Sequence, residues 1–458
     1  MTDVLVDEIT VLDPRTGEVV STVPMATRRE CEEALARARA RRAAGGWART
    51  SADERAAALH AAAGAVRDAA DELAALNERE TGKSREDARG GVEAGVGTLV
   101  QYAELGRVHR GRSLHGRWEA TDLMVPEPRG VVVALTPWND PVAVAAGLIG
   151  AALATGNAVV HKPSERCPQT GRRFAELLAA HLPEGVLEVV GGDGAVGAAL
   201  VAGDVDVVAH VGSSATGRAI ALACAQSGAK ALLENGGNDA LVVDERVDAE
   251  WAATQAALGA FANAGQICVS VERIYCHAAV ADHFVEALVA EAKKWQDRLG
   301  PLVDRRQREH VHGHVTEAVG AGATALAGGE VPGGPGAFYP PTVLVGCRPG
   351  MQVMREETFG PVAPVRVVPD FEAALSEAAN DAYGLAATVL TSDMARAQAA
   401  WRALPVGTVK VNEVFGGAAG GAAQPRGRSG TGFGYGPELL DEMTTVKVVH
   451  IAPPSASR

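Results

Sequence analysis

Short apolar segments alternate with longer helical segments over most of this sequence, and this alternation restricts the possible folds more than any other feature. It runs from residue 130 to residue 243 and repeats over residues 244–415. Strands buried on both faces are short and continuously apolar, and parallel strands need a crossover helix between them. The sequence therefore predicts an α/β protein with two successive units, each a largely parallel sheet with helices on both faces.

The predicted elements can be identified by their sequences. In the first unit, the predicted strands are GVVVALTP, NAVVHKP, VLEVV, DVVAHVG and KALLEN. In the second unit, they are SVERIYCH, PTVLVG, PVAPVRVV, AATVLTS and TVKVNEV. Helices are predicted between them, at residues 142–156, 169–181, 195–202, 216–226, 249–263, 281–294 and 371–380.

The segments outside these two units have other patterns. Residues 28–42 and 53–76 are rich in alanine and carry their charges on one face, which predicts further helices. Residues 110–130 contain short alternating stretches and two prolines near their end, which indicate an extended hairpin or crossover. The Gly-rich tail from Gly416 ends in TTVKVVHIA, a predicted strand.

Length and charge limit the class of protein. A chain of 458 residues is too long for one ordinary core, so two or three domains are expected. With 43 Lys and Arg residues against 56 Asp and Glu residues, the formal net charge is −13. Since nucleic-acid binding requires clustered positive charge, no nucleic-acid partner is expected.

The cysteines and the apolar stretches bear on the compartment. The six cysteines are scattered without a Cys-x-x-Cys pair, which argues against a zinc ribbon, a thioredoxin-type motif and a disulfide framework. Most are predicted to be small buried residues, and reduced thiols fit a cytoplasmic protein. The stretch MTDVLVDEITVLDP lacks the basic and apolar regions of a signal peptide. Glycines interrupt the apolar residues 142–160, which predicts a buried helix and strand and no membrane span.

Four segments carry side chains that could perform chemistry. Cys268, in GQICVS, lies at a predicted helix-to-strand junction, where a thiolate could attack a carbonyl carbon, although a single cysteine is also an ordinary core residue. Glu234, in LENGGND, ends a predicted strand and could activate water or be a turn charge. Asn139, in TPWND, could donate its amide to an oxyanion or stabilise its own turn. In HKPSE, Lys162 could bind a sugar hydroxyl or phosphate, and Glu165 a ribose diol.

Taken together, these segments resemble the aldehyde dehydrogenase superfamily. The order Asn139, Lys162, Glu234, Cys268 is that of the family, and the last two are 34 positions apart. The segments HVGSSATG, REETFGPV, NDAYGLAATVLTSD and VKVNEV also match, and the similarity runs from about residue 10 to about residue 450. The resemblance implies a Rossmann-like cofactor domain, an α/β catalytic domain and a small β oligomerisation element. It also implies oxidation of an aldehyde to a carboxylic acid without acylation of CoA, with NAD as the expected cofactor and NADP as the alternative.

The resemblance implies a role for each matching residue. Cys268 would be the nucleophile that forms a thioester, and Glu234 would activate the water that hydrolyses it. Asn139 and the backbone N–H of Cys268 would form the oxyanion hole, and Lys162 would support catalysis. Lys162 and Glu165 would hold the adenosine ribose, Gly212 and Ser213 would face the pyrophosphate, and Glu357 and Phe359 would hold the nicotinamide ribose and ring. The full set of implied cofactor contacts is Trp138, Lys162, Ser164, Glu165, Gly194, Gly212, Ser213, Gly236, Glu357 and Phe359.

Two further patterns have simple explanations. GGDGAVG, residues 191–197, fits the dinucleotide fingerprint, but no clear acidic partner follows about twenty residues later. In the resembling family this turn lies near the adenine and does not wrap the pyrophosphate. The three histidines of DRRQREHVHGH suggest metal ligands, but they lie in an otherwise charged predicted helix, so a solvated face and no metal are expected.

Other classes of function could use the same residues. A non-redox thiol esterase or hydrolase would need Cys268 and Glu234 but no nicotinamide. A non-catalytic binding protein on this scaffold would have no need of Cys268, Glu234 and Asn139 together. CoA-acylating relatives generally lack the base carboxylate, whereas Glu234 is present.

Departures from the family pattern bear on the substrate. Asn235 replaces the usual Leu after the base, residues 422–430 replace the usual Pro-Phe-Gly-Gly-x-Lys segment, and Asp140 replaces the usual aromatic after the oxyanion Asn. Relatives that oxidise succinic semialdehyde carry two arginines where this chain has Gly147 and Ala262. An amino-aldehyde or a hydroxylated aldehyde is therefore predicted to contact Asp140. The alternative is that the Asp140 carboxylate caps the following helix.

The predicted domain boundaries follow from the same resemblance. The cofactor domain takes residues 1–110 and 126–236, and the catalytic domain takes residues 237–428. Residues 111–125 and 429–458 form the oligomerisation element. In the resembling family the C-terminal strand pairs with a neighbouring subunit, so a homodimer or homotetramer is expected.

Overall fold

The computed structural model describes residues 8–43, 45–417 and 421–454. Residues 1–7 and 44 of the predicted cofactor domain, 418–420 of the predicted catalytic domain and 455–458 of the predicted oligomerisation element lie outside the described residues. The strands are β1 (Glu8–Leu12), β2 (Val19–Pro24), β3 (Arg112–Leu114), β4 (Thr121–Pro128), β5 (Val131–Leu135), β6 (Ala158–Lys162), β7 (Leu187–Val189), β8 (Val207–Gly212), β9 (Lys230–Asn235), β10 (Asp239–Val243), β11 (Val271–His277), β12 (Thr324–Ala327), β13 (Thr342–Val345), β14 (Val362–Val368), β15 (Ala386–Leu390), β16 (Thr408–Val411), β17 (Gly430–Thr431) and β18 (Thr444–Ile451).

Helices connect and cover these strands. They are α1 (Arg28–Ala43), α2 (Gly46–Arg49), α3 (Ala52–Asp68), α4 (Ala70–Thr81), α5 (Arg85–Val108), α6 (Pro141–Ala154), α7 (Pro168–Ala179), α8 (Gly194–Val201), α9 (Ser214–Ser227), α10 (Ala249–Phe261), α11 (Ala281–Gln296), α12 (Arg305–Gly320), α13 (Phe371–Ala379), α14 (Met394–Ala403) and α15 (Glu438–Glu442).

The first unit is a six-stranded sheet in the order β17-β9-β8-β5-β6-β7. Neighbouring strands from β9 to β7 run parallel, and β17 joins the edge antiparallel to β9. Every residue of β5 and of β6 is buried, because helices cover both faces of the sheet. The five strands predicted between residues 130 and 243 are confirmed as one parallel sheet.

The second unit is a seven-stranded sheet in the order β12-β13-β14-β11-β10-β15-β16. Its strands are parallel except β12, which pairs antiparallel with β13 at one edge. The predicted strands of the second unit are all present. The mixed α/β fold class predicted from the sequence is therefore confirmed.

Small residues let α5 and α6 approach each other closely. A Cβ added at Gly95 of α5 would lie 3.0 Å from the Val142 side chain, and one at Gly106 would lie 3.1 Å from the Cβ of Ala154. Contacts this short leave no space for a larger side chain. Because α6 begins immediately after Asn139 and Asp140, this packing also fixes the position of those two candidate site residues.

A separate antiparallel sheet has the order β18-β4-β3. It confirms the extended character predicted for residues 110–130 and the strand predicted in TTVKVVHIA. Three elements do not follow the predicted domain boundaries. Strand β4 crosses the boundary at residue 126. Strand β17, in the predicted oligomerisation element, joins the cofactor sheet, and α15 packs Leu439 and Leu440 into the same core as α6. The domain boundaries stay predictions.

Some elements differ from the sequence predictions. The hairpin β1–β2 and strand β10 were not predicted. Strand β10 follows β9 after a short turn with no helix between them, so it interrupts the alternation on which the prediction relied. The single helix predicted over residues 53–76 is two helices that meet at Ala69, and the helix predicted to end at Asn263 ends at Phe261.

The membrane and cysteine predictions can also be compared with the structure. In the part of the chain that the structure describes, no helix has the length and apolar character that a membrane crossing requires. All six cysteines lie in this part, and all are free thiols. Five of them are buried as predicted, whereas Cys268 is exposed.

Candidate active site

Cys268 lies in the turn between α10 and β11. An unusual backbone conformation produces this turn. In the 3-10 helix Ala262–Gly265, Asn263 and Ala264 have φ values of 49° and 55°. Left-handed backbone is unfavourable for residues with a Cβ, so neighbouring groups have to hold it in place. The backbone N–H and the side-chain amide of Gln266 both donate to the Asn263 carbonyl, at 3.1 and 3.0 Å. The resulting turn presents Cys268 at the surface.

The electrostatic surroundings of Cys268 keep its thiol protonated. Although the residue is exposed, protein atoms crowd its sulfur, and this desolvation raises the pKa of Cys268 to about 12. The carboxylates of Asp239, Glu234 and Glu357 add to the shift, and the ammonium of Lys410 opposes it. Because the thiolate is the reactive form, a proton acceptor must take part when this sulfur acts as a nucleophile.

Asn139 lies against the turn that carries Cys268. Its side-chain Nδ2 donates a hydrogen bond to the carbonyl oxygen of Gln266 at 3.2 Å, two residues before the cysteine. Its own carbonyl oxygen accepts a hydrogen bond from Nζ of Lys83 at 3.1 Å. An amide nitrogen carries two hydrogens, so Asn139 keeps one donor for another acceptor near Cys268.

Glu234 lies near the end of β9, under the C-terminal segment. Its Oε1 accepts a hydrogen bond from the Gly434 N–H at 2.9 Å, and burial raises the pKa of Glu234 to about 8. The adjacent Asn235 donates its side-chain amide to the Arg428 carbonyl at 3.0 Å. Asn235, which departs from the family pattern, therefore anchors the segment that covers the candidate base.

Lys162 and Glu165 lie close together at the end of β6. Lys162 is buried, and its Nζ donates to the carbonyl oxygens of Pro163 at 3.1 Å and Gly192 at 2.7 Å. The same Nζ lies 3.9 Å from Oε2 of Glu165. Ser164, between them, is also buried and accepts a hydrogen bond from the Arg166 N–H at 3.3 Å.

The N-termini of α8 and α9 differ in the charge of their caps. The carboxylate of Asp193 caps α8 by accepting from the N–H groups of Ala195 and Val196, at 2.8 and 3.4 Å. The neutral hydroxyl of Ser213 caps α9 by accepting from the Thr216 N–H at 3.3 Å. A carboxylate at the start of α8 disfavours a phosphate there, so the glycine-rich segment 191–197 is a poor pyrophosphate cradle.

Gly194, Gly212 and Gly236 lie at three different points of this region. A Cβ added at Gly194, the first residue of α8, would meet nothing within 4 Å. A Cβ at Gly212 would contact the ring of His210, and one at Gly236 would contact the carboxylate of Glu357. The structure therefore leaves open space at Gly194 and crowds the other two glycines.

Trp138 and Phe359 form an edge-to-face aromatic pair with ring centroids 5.5 Å apart. The guanidinium of Arg166 lies 5.2 Å from the Trp138 ring centroid, and it forms an ion pair with Asp304 at 3.0 Å. Phe359 has a φ of 50°, and its N–H donates to the buried carboxylate of Glu272 at 3.0 Å. This carboxylate therefore holds Phe359 in a conformation that it would not adopt alone.

Glu357 is folded back towards the strand end that carries Glu234. Its Oε1 accepts a hydrogen bond from the Gly237 N–H at 2.9 Å. Burial, with the nearby carboxylates of Glu272 and Asp239, raises the pKa of Glu357 well above its usual range. Glu357 thus lies beside the predicted contact Gly236 and close enough to Cys268 to affect its pKa.

Asp140 has a partner that the sequence did not reveal. It occupies the N-cap position of α6 but makes no side-chain capping hydrogen bond, so the expectation that its carboxylate caps this helix is wrong. Its Oδ1 lies 3.6 Å from Nζ of Lys83, and a Cβ at Gly91 of α5 would contact the same oxygen. Burial raises the pKa of Asp140, and the ammonium of Lys83 opposes this shift.

The three histidines of α12 do not share a solvated face. His314 is buried, and its Nδ1 is 3.2 Å from the Thr358 hydroxyl, so the expectation of a solvated face is wrong for this residue. His312 is half-buried and lies 3.1 Å from the Tyr339 hydroxyl, whereas His310 is exposed. Within the described residues, no group of three or more His, Cys, Asp or Glu side chains could hold a metal ion.

Several polar residues of this region were not identified from the sequence. Three of them are polar positions within predicted strands, a signal that could have identified them: His210 in VVAHVG, Glu272 in VERIYCH and Lys410 in TVKVNEV. Lys83 gave no such signal, because it lies in the short loop between α4 and α5 and reaches Asn139 only through the tertiary fold.

The arrangement suits a two-substrate oxidation. The Cys268 thiol, the Asn139 amide and the carboxylate of Glu234 lie near one another. The aromatic pair includes Trp138, the residue before Asn139, and Lys162 ends the strand that pairs with β5. Buried polar atoms without partners among the described residues belong to His210 and Ser214, at the start of α9. Such atoms fit a polar ligand, and these residues therefore suit a nicotinamide dinucleotide.

Comparisons with known proteins agree with this geometry. The sequence profile of the aldehyde dehydrogenase family matches residues 3–449. The chain is 33% identical, over 96% of its length and 89% of the relative, to a Mycolicibacterium smegmatis protein provisionally named a succinate-semialdehyde dehydrogenase [NADP(+)]. It is 35% identical to the peroxisomal aminoaldehyde dehydrogenase 2 of Pisum sativum, over 97% of this chain and 93% of that protein. The crystal structure of Staphylococcus aureus betaine aldehyde dehydrogenase in complex with NAD+ superposes with a TM-score of 0.94 at 30% identity, covering 97% of this chain and 92% of that one. This chain therefore belongs to the aldehyde dehydrogenase family, enzymes that oxidise aldehydes with a nicotinamide cofactor.

Proposed function

We propose that this protein oxidises its aldehyde to a carboxylic acid by way of a thioester on Cys268. One observation carries the proposal. Asn139 donates to the carbonyl of Gln266, two residues before the only exposed cysteine, and the carboxylate of Glu234 lies near enough to raise the pKa of the same thiol. A nucleophile, an oxyanion donor and a base therefore meet at one point.

In the first step, the sulfur of Cys268 attacks the aldehyde carbon. A C–S bond forms, and the carbonyl electron pair moves to oxygen. The thiol proton passes to solvent, and Glu234 stays available for the water of the last step. The free N–H of the Asn139 amide and the backbone N–H of Cys268 stabilise the oxyanion, and one such donor contributes a factor of about 10²–10³ in rate.

The cofactor supplies the oxidant in the second step. A bound nicotinamide ring would accept the hydride that leaves the substrate carbon. Lys162 and Glu165 would hold the adenosine ribose, and Glu357 and Phe359 the nicotinamide ribose and ring. The carboxylate of Glu165 would accept from the ribose hydroxyls and repel a 2′-phosphate, so we expect NAD+ to be preferred over NADP+.

In the last step, the chain hydrolyses the thioester. Glu234 takes a proton from water, and the resulting hydroxide attacks the thioester carbon. The C–S bond breaks, the carboxylic acid leaves, and the sulfur of Cys268 recovers the proton from Glu234. The Gly434 N–H holds the Glu234 carboxylate that activates this water.

The test uses aldehyde, NAD+ and NADP+, with the absorbance of the reduced cofactor as readout. Cys268→Ala should remove dehydrogenase activity and retain cofactor binding by calorimetry. Glu234→Gln should give a burst of reduced cofactor, then slow turnover, with an acyl adduct visible by intact mass. Substantial turnover by Cys268→Ala would exclude this cysteine as the nucleophile, and ester hydrolysis without cofactor-dependent turnover would support the non-redox thiol hydrolase instead.

Asp140 is the residue of this region that bears on the substrate class. The three relatives above are named for different aldehydes, so the residues of this chain have to decide. Because Lys83 already lies 3.6 Å from the Asp140 carboxylate, a second ammonium there would bring two like charges together. A hydroxyl group can donate to the same carboxylate without that cost. We therefore favour a hydroxylated aldehyde over an amino-aldehyde.

An aldehyde panel tests this preference. We expect kcat/KM for glycolaldehyde to exceed the values for 4-aminobutanal, hexanal and succinic semialdehyde. In Asp140→Phe, hexanal should gain relative to glycolaldehyde, because an aromatic ring replaces a carboxylate. An unchanged ranking in the variant would remove Asp140 from substrate recognition, while the thioester chemistry would stand.

The protein is proposed to form a homodimer or homotetramer through β18. This strand is at the edge of its sheet, with β4 as its one neighbour, and Val446 and Val448 on it are 55% and 65% exposed. An apolar edge strand of this kind has unpaired backbone groups that a second copy could pair with. Light scattering after gel filtration should show an oligomer for the wild type and a monomer for Val448→Glu. Met394→Glu, at a residue 73% exposed on α14, is the matched control and should stay oligomeric.

A cytoplasmic location is the last part of the proposal. All six cysteines are free thiols, which fits a reducing compartment. Cell fractionation with antibody detection tests it, and recovery in a secreted fraction would contradict it.

A further inference from the structure

His210 is a buried imidazole with only a poorly aligned contact to the Ser213 backbone. It lies in β8 with 7% of its surface exposed, and neither ring nitrogen makes a hydrogen bond of normal geometry with the described residues. The other two buried histidines differ, since His161 lies 2.9 Å from the Thr136 hydroxyl and His314 lies 3.2 Å from the Thr358 hydroxyl. Burying a polar group without a partner costs free energy, so we expect a ligand to contact His210.

The imidazole faces the start of α9. A Cβ added at Gly212 would lie 2.7 Å from Cε1 and 3.0 Å from Nε2 of His210, so the ring lies against the residue that precedes the cap Ser213. The hydroxyl oxygen of Ser214, the first residue of this 14-residue helix, is likewise buried without a partner among the described residues. Two unpartnered polar side chains therefore share one helix N-terminus.

The charge at this point favours an anion. A helix N-terminus of this length carries a partial positive charge and free N–H groups. Burial lowers the pKa of His210 to about 4, opposed by the nearby Ser213 carbonyl and assisted by the ammonium of Lys162. The imidazole is therefore neutral at physiological pH, with one N–H to donate. The start of α8, in contrast, is filled by the carboxylate of Asp193.

We propose that His210 donates a hydrogen bond to the pyrophosphate of the bound dinucleotide, together with the hydroxyl of Ser214 and the start of α9. This inference rests on the proposed function, because that function requires a bound dinucleotide. His210 is then an additional cofactor-binding residue. It strengthens the binding of ligands that carry a phosphate but not the binding of the bare nucleoside.

Isothermal titration of adenosine, ADP and NAD+ tests the proposal without turnover. The variants are His210→Phe and His210→Leu, which remove both ring nitrogens, and His210→Gln, which keeps an N–H donor. For Phe and Leu, the Kd of ADP and of NAD+ should rise about tenfold, the value of one hydrogen bond to a charged group. The Kd of adenosine should change by less than about twofold, and His210→Gln should recover most of the loss.

A double-mutant cycle gives an independent readout. In Gly212→Ala, the added Cβ would overlap the imidazole and displace it, so the affinity for ADP should fall. In the His210→Ala background the same substitution should cost much less, since the ring is gone. Additive effects of Gly212→Ala and His210→Ala would contradict the proposal. The unfolding midpoint of each variant shows whether it folds. If His210→Phe fails to fold, His210→Leu replaces it.

The outcomes separate this inference from the proposed function. If the wild type binds NAD+ and ADP while His210→Phe and His210→Leu bind both equally well, the contact with His210 is refuted and the proposed function stands. Equal losses for adenosine and ADP would also refute it, because the contact would then lie on the nucleoside. A wild type that binds neither NAD+ nor NADP+ would overturn both.

Discussion

Nζ of Lys83 donates a hydrogen bond to the main-chain carbonyl oxygen of Asn139 at 3.1 Å and lies 3.6 Å from Oδ1 of Asp140. The Lys83 side chain is only 10% exposed, so one buried ammonium fixes the backbone of the proposed oxyanion donor and neutralises the next residue. This links the loop between α4 and α5 to the position of the Asn139 amide, which in turn contacts the turn of Cys268.

Lys83→Met should therefore slow the chemistry without affecting the cofactor. Loss of the ammonium frees the Asn139 carbonyl, and misplacing an oxyanion donor should lower kcat by about tenfold, less than removing the donor itself. The Kd of NAD+ should not change. Lys83→Arg should recover part of the loss, and Lys293→Met, at an exposed position on α11, should have no effect. Unchanged kcat in Lys83→Met would show that Asn139 needs no support from Lys83.

Hydrolysis of the thioester should depend on pH through Glu234. A general base must be ionised, and the pKa of Glu234 is about 8, so turnover limited by this step should rise with pH and level off above about pH 8. In Glu234→Gln the turnover should be about 10²–10⁴-fold lower and lose this dependence. Pre-steady-state and steady-state rates between pH 6 and pH 10 provide the measurement. A wild-type rate that is independent of pH over this range would show that another group activates the water.

Alkylation should report the protonation of Cys268 directly. Five cysteines are buried and one is exposed, so iodoacetamide should add a single label to the native protein, absent in Cys268→Ala. Because the pKa of Cys268 is about 12, the rate should increase about tenfold per pH unit and show no plateau below pH 10. Mass spectrometry of timed samples measures it. A plateau near pH 8 would mean that the thiol ionises more readily than its surroundings imply.

The carboxylate of Glu272 should control the cofactor through Phe359. Its two oxygens accept from the N–H groups of Thr358 and Phe359, at 2.9 and 3.0 Å, and hold the left-handed backbone of Phe359. Glu272→Ala should raise KM and Kd for NAD+ by about tenfold, the expected effect of losing about one net interaction. Glu286→Ala, on the exposed face of α11, is the control and should bind normally. Normal affinity in Glu272→Ala would show that Phe359 keeps its conformation by other contacts.

Sequence patterns predicted those parts of the fold that depend on local periodicity. Strand β5 is apolar throughout and β6 begins with three apolar residues, so their positions were predictable from short windows. Strand β10 has the same composition, but it follows β9 without a helix and therefore does not fit the alternation. The break at Ala69 was also hidden, because alanine-rich sequence favours a helix on both sides of it.

The candidate site residues could be proposed from the sequence, because their order and spacing resemble one family. Lys162 ends β6 and Glu234 lies next to the end of β9, whereas Asn139, Glu165 and Cys268 lie in connecting loops. Loops and strand ends at one edge of a parallel sheet are where side chains for a ligand site collect. What the tertiary structure decided is which groups support them. Lys83 reaches Asn139 across 56 positions of sequence, and Gly434 covers Glu234 across 200. The pKa values of Cys268 and Glu234, and the unpartnered state of His210, depend on burial by distant segments, which no local pattern records.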